Sequence, residues 1–313
     1  MTRAFVFPGQ GSQAVGMGKD LGEAFAAARA VYEEVDDALG QKLSAVMFEG
    51  PGDDLTLTEN AQPALMAVSM AVIRVLEEQG FDLAAAAKLV AGHSLGEYSA
   101  LCAAGSLSIG DTARLLRIRG RAMQQAVPVG QGAMAALLGL DLDQARAVAE
   151  KAAQGEVCQS ANDNAPGQVV VSGTKTAVER ALVLATEAGA KRSILLPVSA
   201  PFHCALMQPA ADAMAEALAG VTFNAPKVPV VANVTAQAET DPEVLRRLLV
   251  EQVTGAVRWR ESVLFMKDQG VEVLVECGAG KVLSGLARRI DKALSGIALN
   301  GPADIEAYLK ENA

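Results

Sequence analysis

Gly92-His93-Ser94-Leu95-Gly96 sets a serine between two glycines, with the apolar run Leu89-Val90-Ala91 before it and the helix-like Glu97-Tyr98-Ser99-Ala100-Leu101 after it. A serine in Gly-x-Ser-x-Gly between a strand and a helix sits on a sharp turn, where missing Cβ atoms permit close packing and the hydroxyl is exposed. The helix N-terminus behind it supplies unpaired N–H groups and partial positive charge, which suit an oxyanion forming beside the serine. Acyl transfer is the chemistry this pattern supports. An ordinary strand-to-helix turn with glycines for packing is the plainer alternative.

A serine nucleophile needs a base, and the chain has only two histidines, His93 and His203. In an extended segment the side chain of His93 points away from that of its neighbour Ser94. His203, in Ser199-Ala200-Pro201-Phe202-His203-Cys204 just after an expected strand, is the better candidate. No acidic residue stands out as a third member of a triad.

The elements that must position these residues follow from the apolar pattern. Residues 4–7 read as a buried strand that runs into the loop Pro8-Gly9-Gln10-Gly11-Ser12-Gln13. Helices are expected over about 21–39 and 62–79, then the strand at 88–91 that ends in the elbow. Strand and helix alternate here, which favours a parallel sheet covered on both faces. From about residue 132 the rhythm changes to strand 133–138, helix 142–153, strand 156–160, strand 168–172, helix 176–188 and strand 191–197. That β-α-β-β-α-β order is ferredoxin-like. Longer elements then return: a helix at 206–219, strands at 228–233 and 271–276, and a helix from about 282. The large domain is therefore expected to be discontinuous, residues 1–127 and 201–313, with residues 128–200 as an inserted subdomain.

Composition removes several function classes. The 313 residues are 51% hydrophobic and 20% charged, as in a globular protein. No apolar stretch is long enough to cross a bilayer, and only four apolar residues separate Arg3 from Pro8, too few for a secretory signal, so a soluble cytoplasmic protein is expected. Cys102, Cys158, Cys204 and Cys277 form no C-x-x-C pair and read as buried thiols, neither zinc site nor disulfide framework. A metal hydrolase is disfavoured by the two scattered histidines. The net charge of −9, from 27 basic and 36 acidic residues, argues against a nucleic-acid binder. Gly278-Ala279-Gly280-Lys281 hints at a phosphate loop, but Val275 and Val282 stand where that loop needs glycine and serine or threonine.

Further segments, taken in order, carry a family likeness: Phe7-Pro8-Gly9-Gln10-Gly11-Ser12-Gln13, the elbow with Glu97, Arg119-Gly120 with Met123-Gln124, and Gly132-Ala133-Met134-Ala135-Ala136. Asn162-Asp163-Asn164-Ala165-Pro166-Gly167-Gln168, Val198-Ser199-Ala200-Pro201-Phe202-His203 and Glu276-Cys277-Gly278-Ala279-Gly280-Lys281-Val282-Leu283 complete it. Together they resemble the malonyl-CoA:acyl carrier protein transacylases over nearly the whole chain. The resemblance implies an α/β protein with an α/β-hydrolase-like large domain, a ferredoxin-like insert and a site between them.

It also implies roles. Ser94 would take the malonyl group and His203 would remove its proton, then protonate the departing thiolate of coenzyme A. In the second half-reaction His203 would deprotonate the phosphopantetheine thiol of acyl carrier protein, completing a ping-pong cycle. The backbone amides of Gln10 and Leu95 would form the oxyanion hole. Arg119 would hold the free malonyl carboxylate through paired hydrogen bonds. Sequence alone does not single it out from Arg114, Arg117 and Arg121, for which a solvated helix face is the plainer reading. A backbone carbonyl at Gln252 would orient His203 in place of a carboxylate, and Asn162 would line the pocket. No metal or redox cofactor is implied, malonyl-CoA being a substrate, and a monomer is expected. The acidic carrier would dock on basic residues, with Lys191-Arg192 and Arg288-Arg289 as candidates.

Two positions depart from the pattern. Ala279 stands where the family often has proline. Phe202 resembles the aromatic found in malonyl-selective acyltransferase domains of polyketide synthases, where stand-alone fatty-acid enzymes often carry serine. The nearest rival reading is a serine thioesterase or esterase, which would share the elbow, histidine and oxyanion hole but use water as acceptor. A rival of another class is a non-catalytic carrier-binding subunit, which would have lost Ser94 or His203; both are present.

Overall fold

The computed structural model describes residues 1–311. Its first sheet has six strands in the order β10-β9-β1-β2-β7-β8. These are β1 (Arg3–Phe7), β2 (Ala87–Gly92), β7 (Val230–Val231), β8 (Ala238–Glu239), β9 (Val273–Cys277) and β10 (Ser295–Leu299). All neighbours are parallel except β7 and β8. The central strands β9, β1 and β2 are apolar apart from Glu276, Arg3 and Lys88 because both faces are covered. Phe5, Phe7, Val90, Val273 and Val275 face the larger core, and Ala4, Val6, Leu89, Ala91 and Leu274 face a second core with Trp259 and Leu283.

The second sheet is antiparallel, ordered β4-β5-β3-β6, from β3 (Gly132–Leu138), β4 (Cys158–Ala165), β5 (Gln168–Thr174) and β6 (Arg192–Leu195). With helices Leu142–Ala153 and Lys175–Glu187 between strands, the order is the ferredoxin-like β-α-β-β-α-β. Alternation along β3 decides what each face meets. Ala133, Ala135 and Leu137 pack under the two helices, whereas Met134 and Ala136 join the core of the large sheet's helices.

Three expected elements come out differently. The helix over 21–39 is two helices, Lys19–Ala24 and Ala26–Leu39, because Phe25 adopts an extended backbone and the first segment folds back onto the second. A Cβ on Gly22 would lie 3.1 Å from the Tyr32 ring, so glycine permits that approach. The helix expected from 62 begins at Thr58 and runs to Glu78, carrying Pro63 inside it. Of the strand expected at 228–233, only Val230 and Val231 pair with β2. β10, the final helix Pro302–Glu311 and several short helices were not anticipated.

The register brings two loops together. Phe7 pairs with Gly92 at the ends of β1 and β2, and the amide of His93 donates to the carbonyl of Phe7 at 3.0 Å. The Gln10 loop and the elbow therefore leave the carboxyl ends of adjacent parallel strands side by side, where open α/β sheets form clefts.

Candidate active site

Ser94 turns the chain from β2 into the helix Gly96–Ala103 with φ of 54°, a left-handed conformation that costs a β-carbon residue free energy. The flanking glycines are sterically required. A Cβ on Gly92 would lie 1.9 Å from the carbonyl carbon of Gly96, and one on Gly96 would lie 2.2 Å from the carbonyl oxygen of Phe7. Asn233, just after β7, spans the turn. Its Nδ2 donates to Gly92 O at 2.7 Å and its Oδ1 accepts the Ser94 N–H at 2.8 Å.

The loop after β6 carries His203 to the serine. Its own φ is 60°, and the loop is held by the Ala205 N–H donating to Gln159 Oε1 at 2.8 Å and by Pro201 packed against Gly132. Ser94 Oγ lies 2.8 Å from His203 Nε2, and His203 Nδ1 lies 2.9 Å from the backbone carbonyl of Gln252. A carbonyl can only accept, so Nδ1 carries the proton and Nε2 is left to accept from the serine hydroxyl. Burial, and then the nearby Arg119 charge, push the His203 pKa down to about 3, against the bond to Gln252. The imidazole is neutral at physiological pH, the state a base requires.

His93 turns elsewhere. Its Nε2 lies 2.8 Å from Asn164 Oδ1 and its ring lies 5.8 Å from Trp259, with burial lowering its pKa.

Arg119, on the helix Ile109–Ala126, is 1% exposed, so the solvated-face reading fails for this arginine. It fails for Arg117 as well, which is buried and donates to Gln41 Oε1 at 2.6 Å, whereas Arg114 and Arg121 do lie half-exposed, paired with Asp111 and Glu59. The next residue explains the depth. A Cβ on Gly120 would lie 2.6 Å from Glu59 Cα, so its absence lets this helix press against the start of the helix Thr58–Glu78 and meet Gln62. Arg119 Nη1 donates to Gln62 Oε1 at 2.9 Å, and Nη2 donates to Gln252 Oε1 at 2.8 Å and to Ser94 Oγ at 3.1 Å. Its Nε is buried without a hydrogen-bond partner among the described residues. Burial lowers its pKa, with Tyr98 and Glu97 opposing. The hydrogen-bond acceptors of this cation are thus all neutral, and the Glu97 carboxyl favours its charge without touching it.

Ser94, His203 and Arg119 line a cavity of about 450 Å³. Gln10 borders it from the β1 loop, and Met134 and Asn162 from the insert. The backbone amides of Gln10 and Leu95 have no acceptor among the described residues, which leaves both donors available. The sequence reading missed Gln62, which braces Arg119, and Asn233, which clamps the elbow. It quoted Glu97 only as part of a motif. That carboxyl is wholly buried, its Oε2 accepting from Asn233 N at 3.0 Å and Gln252 Nε2 at 2.8 Å. Burial pushes its pKa up to about 7, opposed by those two bonds and by Arg119. Buried polar residues between apolar neighbours were the available signal.

All four cysteines are buried and unpaired. Among the described residues no group of three or more His, Cys, Asp or Glu is placed to hold a metal ion, and no helix is long and apolar enough to cross a membrane.

Comparison with known proteins matches residues 4–294 to the acyl transferase domain family. The malonyl CoA-acyl carrier protein transacylase of Escherichia coli K12 is 50% identical over 307 residues, 98% of each chain. A crystal structure of the acyl-carrier-protein-S-malonyltransferase from Bartonella henselae is 60% identical over 99% of each chain, with a TM-score of 0.97. A malonyl-transacylase solved in complex with its type II polyketide synthase acyl carrier protein is 46% identical over the full length of both, with a TM-score of 0.96. With the likeness running end to end in sequence and in fold, the chain belongs to the acyl transferase domain family.

Proposed function

We propose that this protein transfers the malonyl group from malonyl-CoA to the phosphopantetheine thiol of acyl carrier protein, through an ester on Ser94. The observation that carries this reading is Ser94 Oγ set between His203 Nε2 at 2.8 Å and Arg119 Nη2 at 3.1 Å. One neighbour activates the hydroxyl. The other is a buried cation whose hydrogen-bond acceptors are all neutral and which makes no direct ion pair among the described residues, poised for an acyl group that brings its own carboxylate.

In the first half-reaction Ser94 Oγ attacks the thioester carbonyl while His203 Nε2 takes its proton. The oxyanion is held by the amides of Gln10 and Leu95, whose donors are free, and by the charge at the helix N-terminus. Collapse expels the coenzyme A thiolate, which His203 protonates. The carrier thiol then gives its proton to the same nitrogen and attacks the ester. The Gln252 carbonyl keeps the tautomer constant through both halves. Asn162 contributes to the wall of the acyl pocket, and no metal or redox group takes part.

The domain division belongs to the same proposal: residues 1–127 and 201–313 carry the nucleophile, base and arginine, and residues 128–200 wall the cleft. The exposed pairs Lys191-Arg192 and Arg288-Arg289 are offered as docking points for an acidic carrier. Steady-state rates with both substrates varied test the ester intermediate. Parallel double-reciprocal lines are expected, and intersecting lines would exclude it.

A further inference from the structure

The Gln252 amide is oriented by what surrounds it. Its Nε2 end faces oxygens, Ser94 O at 2.9 Å, Glu97 Oε2 at 2.8 Å and Asn233 Oδ1 at 3.3 Å. Its Oε1 end faces Arg119 Nη2 at 2.8 Å. An ionised carboxylate only accepts, so Glu97 is the group that most strongly demands the NH2 end. A flipped amide would set an oxygen against Glu97 and an NH2 against the guanidinium, two repulsive contacts between side chains that are buried from solvent.

Glu97 reaches the nucleophile too. The same Oε2 accepts the backbone N–H of Asn233, whose side chain clamps both sides of the left-handed Ser94. No ion pair joins Glu97 and Arg119 directly among the described residues. The two charges favour each other without touching, and the Gln252 amide bonds to both.

We propose that Glu97 is a positioning residue for acyl-group selection: by fixing the Gln252 amide it holds Arg119 in the pose from which Nη2 reaches Ser94 Oγ, and so sets the preference for a carboxylated acyl group. This rests on the transferase reading above. Loss of the negative charge frees the amide to turn, and the guanidinium loses an acceptor. An acetyl group, which does not use Arg119, registers little of that change.

Protonation of Glu97 in the parent enzyme should act in the same direction. Burial places its pKa at about 7, so the charge is present above that pH and lost below it. The titratable and charged groups facing it are Arg119 from the helix Ile109–Ala126 and Tyr98 on its own helix; Gln252 and Asn233 face it uncharged.

The experiment is Glu97→Gln, with kcat and KM measured for malonyl-CoA and for acetyl-CoA against a phosphopantetheinylated carrier, beside the parent enzyme. The expected result is a raised KM for malonyl-CoA and a fall of roughly tenfold to hundredfold in the malonyl-to-acetyl ratio of kcat/KM, the usual cost of removing a hydrogen-bonded charge. A side chain that only supports the fold would lower both substrates equally, and equal losses or an unchanged ratio would overturn the proposal. Should the variant not fold, the parent's ratio between about pH 6 and pH 8 decides: a rise through neutrality supports the role of Glu97, and a flat ratio overturns it. A parent enzyme that transfers neither acyl group would instead refute the transferase reading itself.

Discussion

Replacing Arg119 with alanine separates selection of the acyl group from the chemistry performed on it. In the structure the guanidinium is bonded to Gln62 Oε1, Gln252 Oε1 and Ser94 Oγ, all neutral acceptors, and it is 1% exposed. A malonyl carboxylate would exchange some of these for charge-assisted bonds worth about 1.5–3 kcal/mol each. Because the exchange gives up existing bonds, the net loss on truncation is about 3 kcal/mol, or roughly 150-fold in kcat/KM for malonyl-CoA. Acetyl-CoA makes no such contact, so its kcat/KM should stay within about threefold of the parent value. The assay is initial-rate transfer to a phosphopantetheinylated carrier with each thioester in turn, and a melting curve to establish that the variant is folded. Comparable losses for the two thioesters in a folded variant would refute the assignment of selectivity to Arg119.

Other consequences are as direct. Ser94→Ala should give no covalent adduct with malonyl-CoA in intact-protein mass spectra, and an adduct of normal yield would place the nucleophile elsewhere. Since His203 has a pKa depressed to about 3, its imidazole is unprotonated throughout the neutral range and gains a proton only near that value. The rate of acylation by acetyl-CoA, which brings no carboxylate to Arg119, should therefore be flat between about pH 5 and pH 8, and an acid limb centred near the ordinary histidine pKa would contradict the burial argument. Gly92→Ala forces a Cβ to within 1.9 Å of the backbone of Gly96, so it should destabilise the protein by at least about 3 kcal/mol, read as a lowered denaturation midpoint. A midpoint equal to the parent's would mean that the elbow is looser than described.

Much of the architecture was readable because its signals are local. The apolar runs of β1, β2 and β9 announce strands buried on both faces, and the strand–helix order from residue 132 announces the ferredoxin-like insert. Pro63 shows where local signals mislead. Proline commonly marks the first turn of a helix, yet here the helix begins at Thr58, in the stretch where Gly120 lets a second helix approach Glu59. The break at Phe25 likewise goes with a close approach of Tyr32 to Gly22 that periodicity does not encode. In the site, the elbow was legible from its glycines and His203 from the scarcity of histidines. Arg119 was distinguishable from its neighbours only by resemblance, since its burial depends on Gly120 meeting another helix. Gln62, Asn233 and the orienting part of Glu97 gave no more signal than a polar residue among apolar neighbours, because their meaning lies in contacts across more than fifty residues of chain.

The central claim is a malonyl ester on Ser94 that waits for a thiol. The most direct test is intact-protein and peptide mass spectrometry of the protein mixed with malonyl-CoA, held in buffer, and then given a phosphopantetheinylated carrier. A malonyl adduct that maps to Ser94, persists in buffer and moves to the carrier is the predicted result; an adduct that decays to free enzyme in buffer before the carrier is added, or no adduct at all, would contradict it.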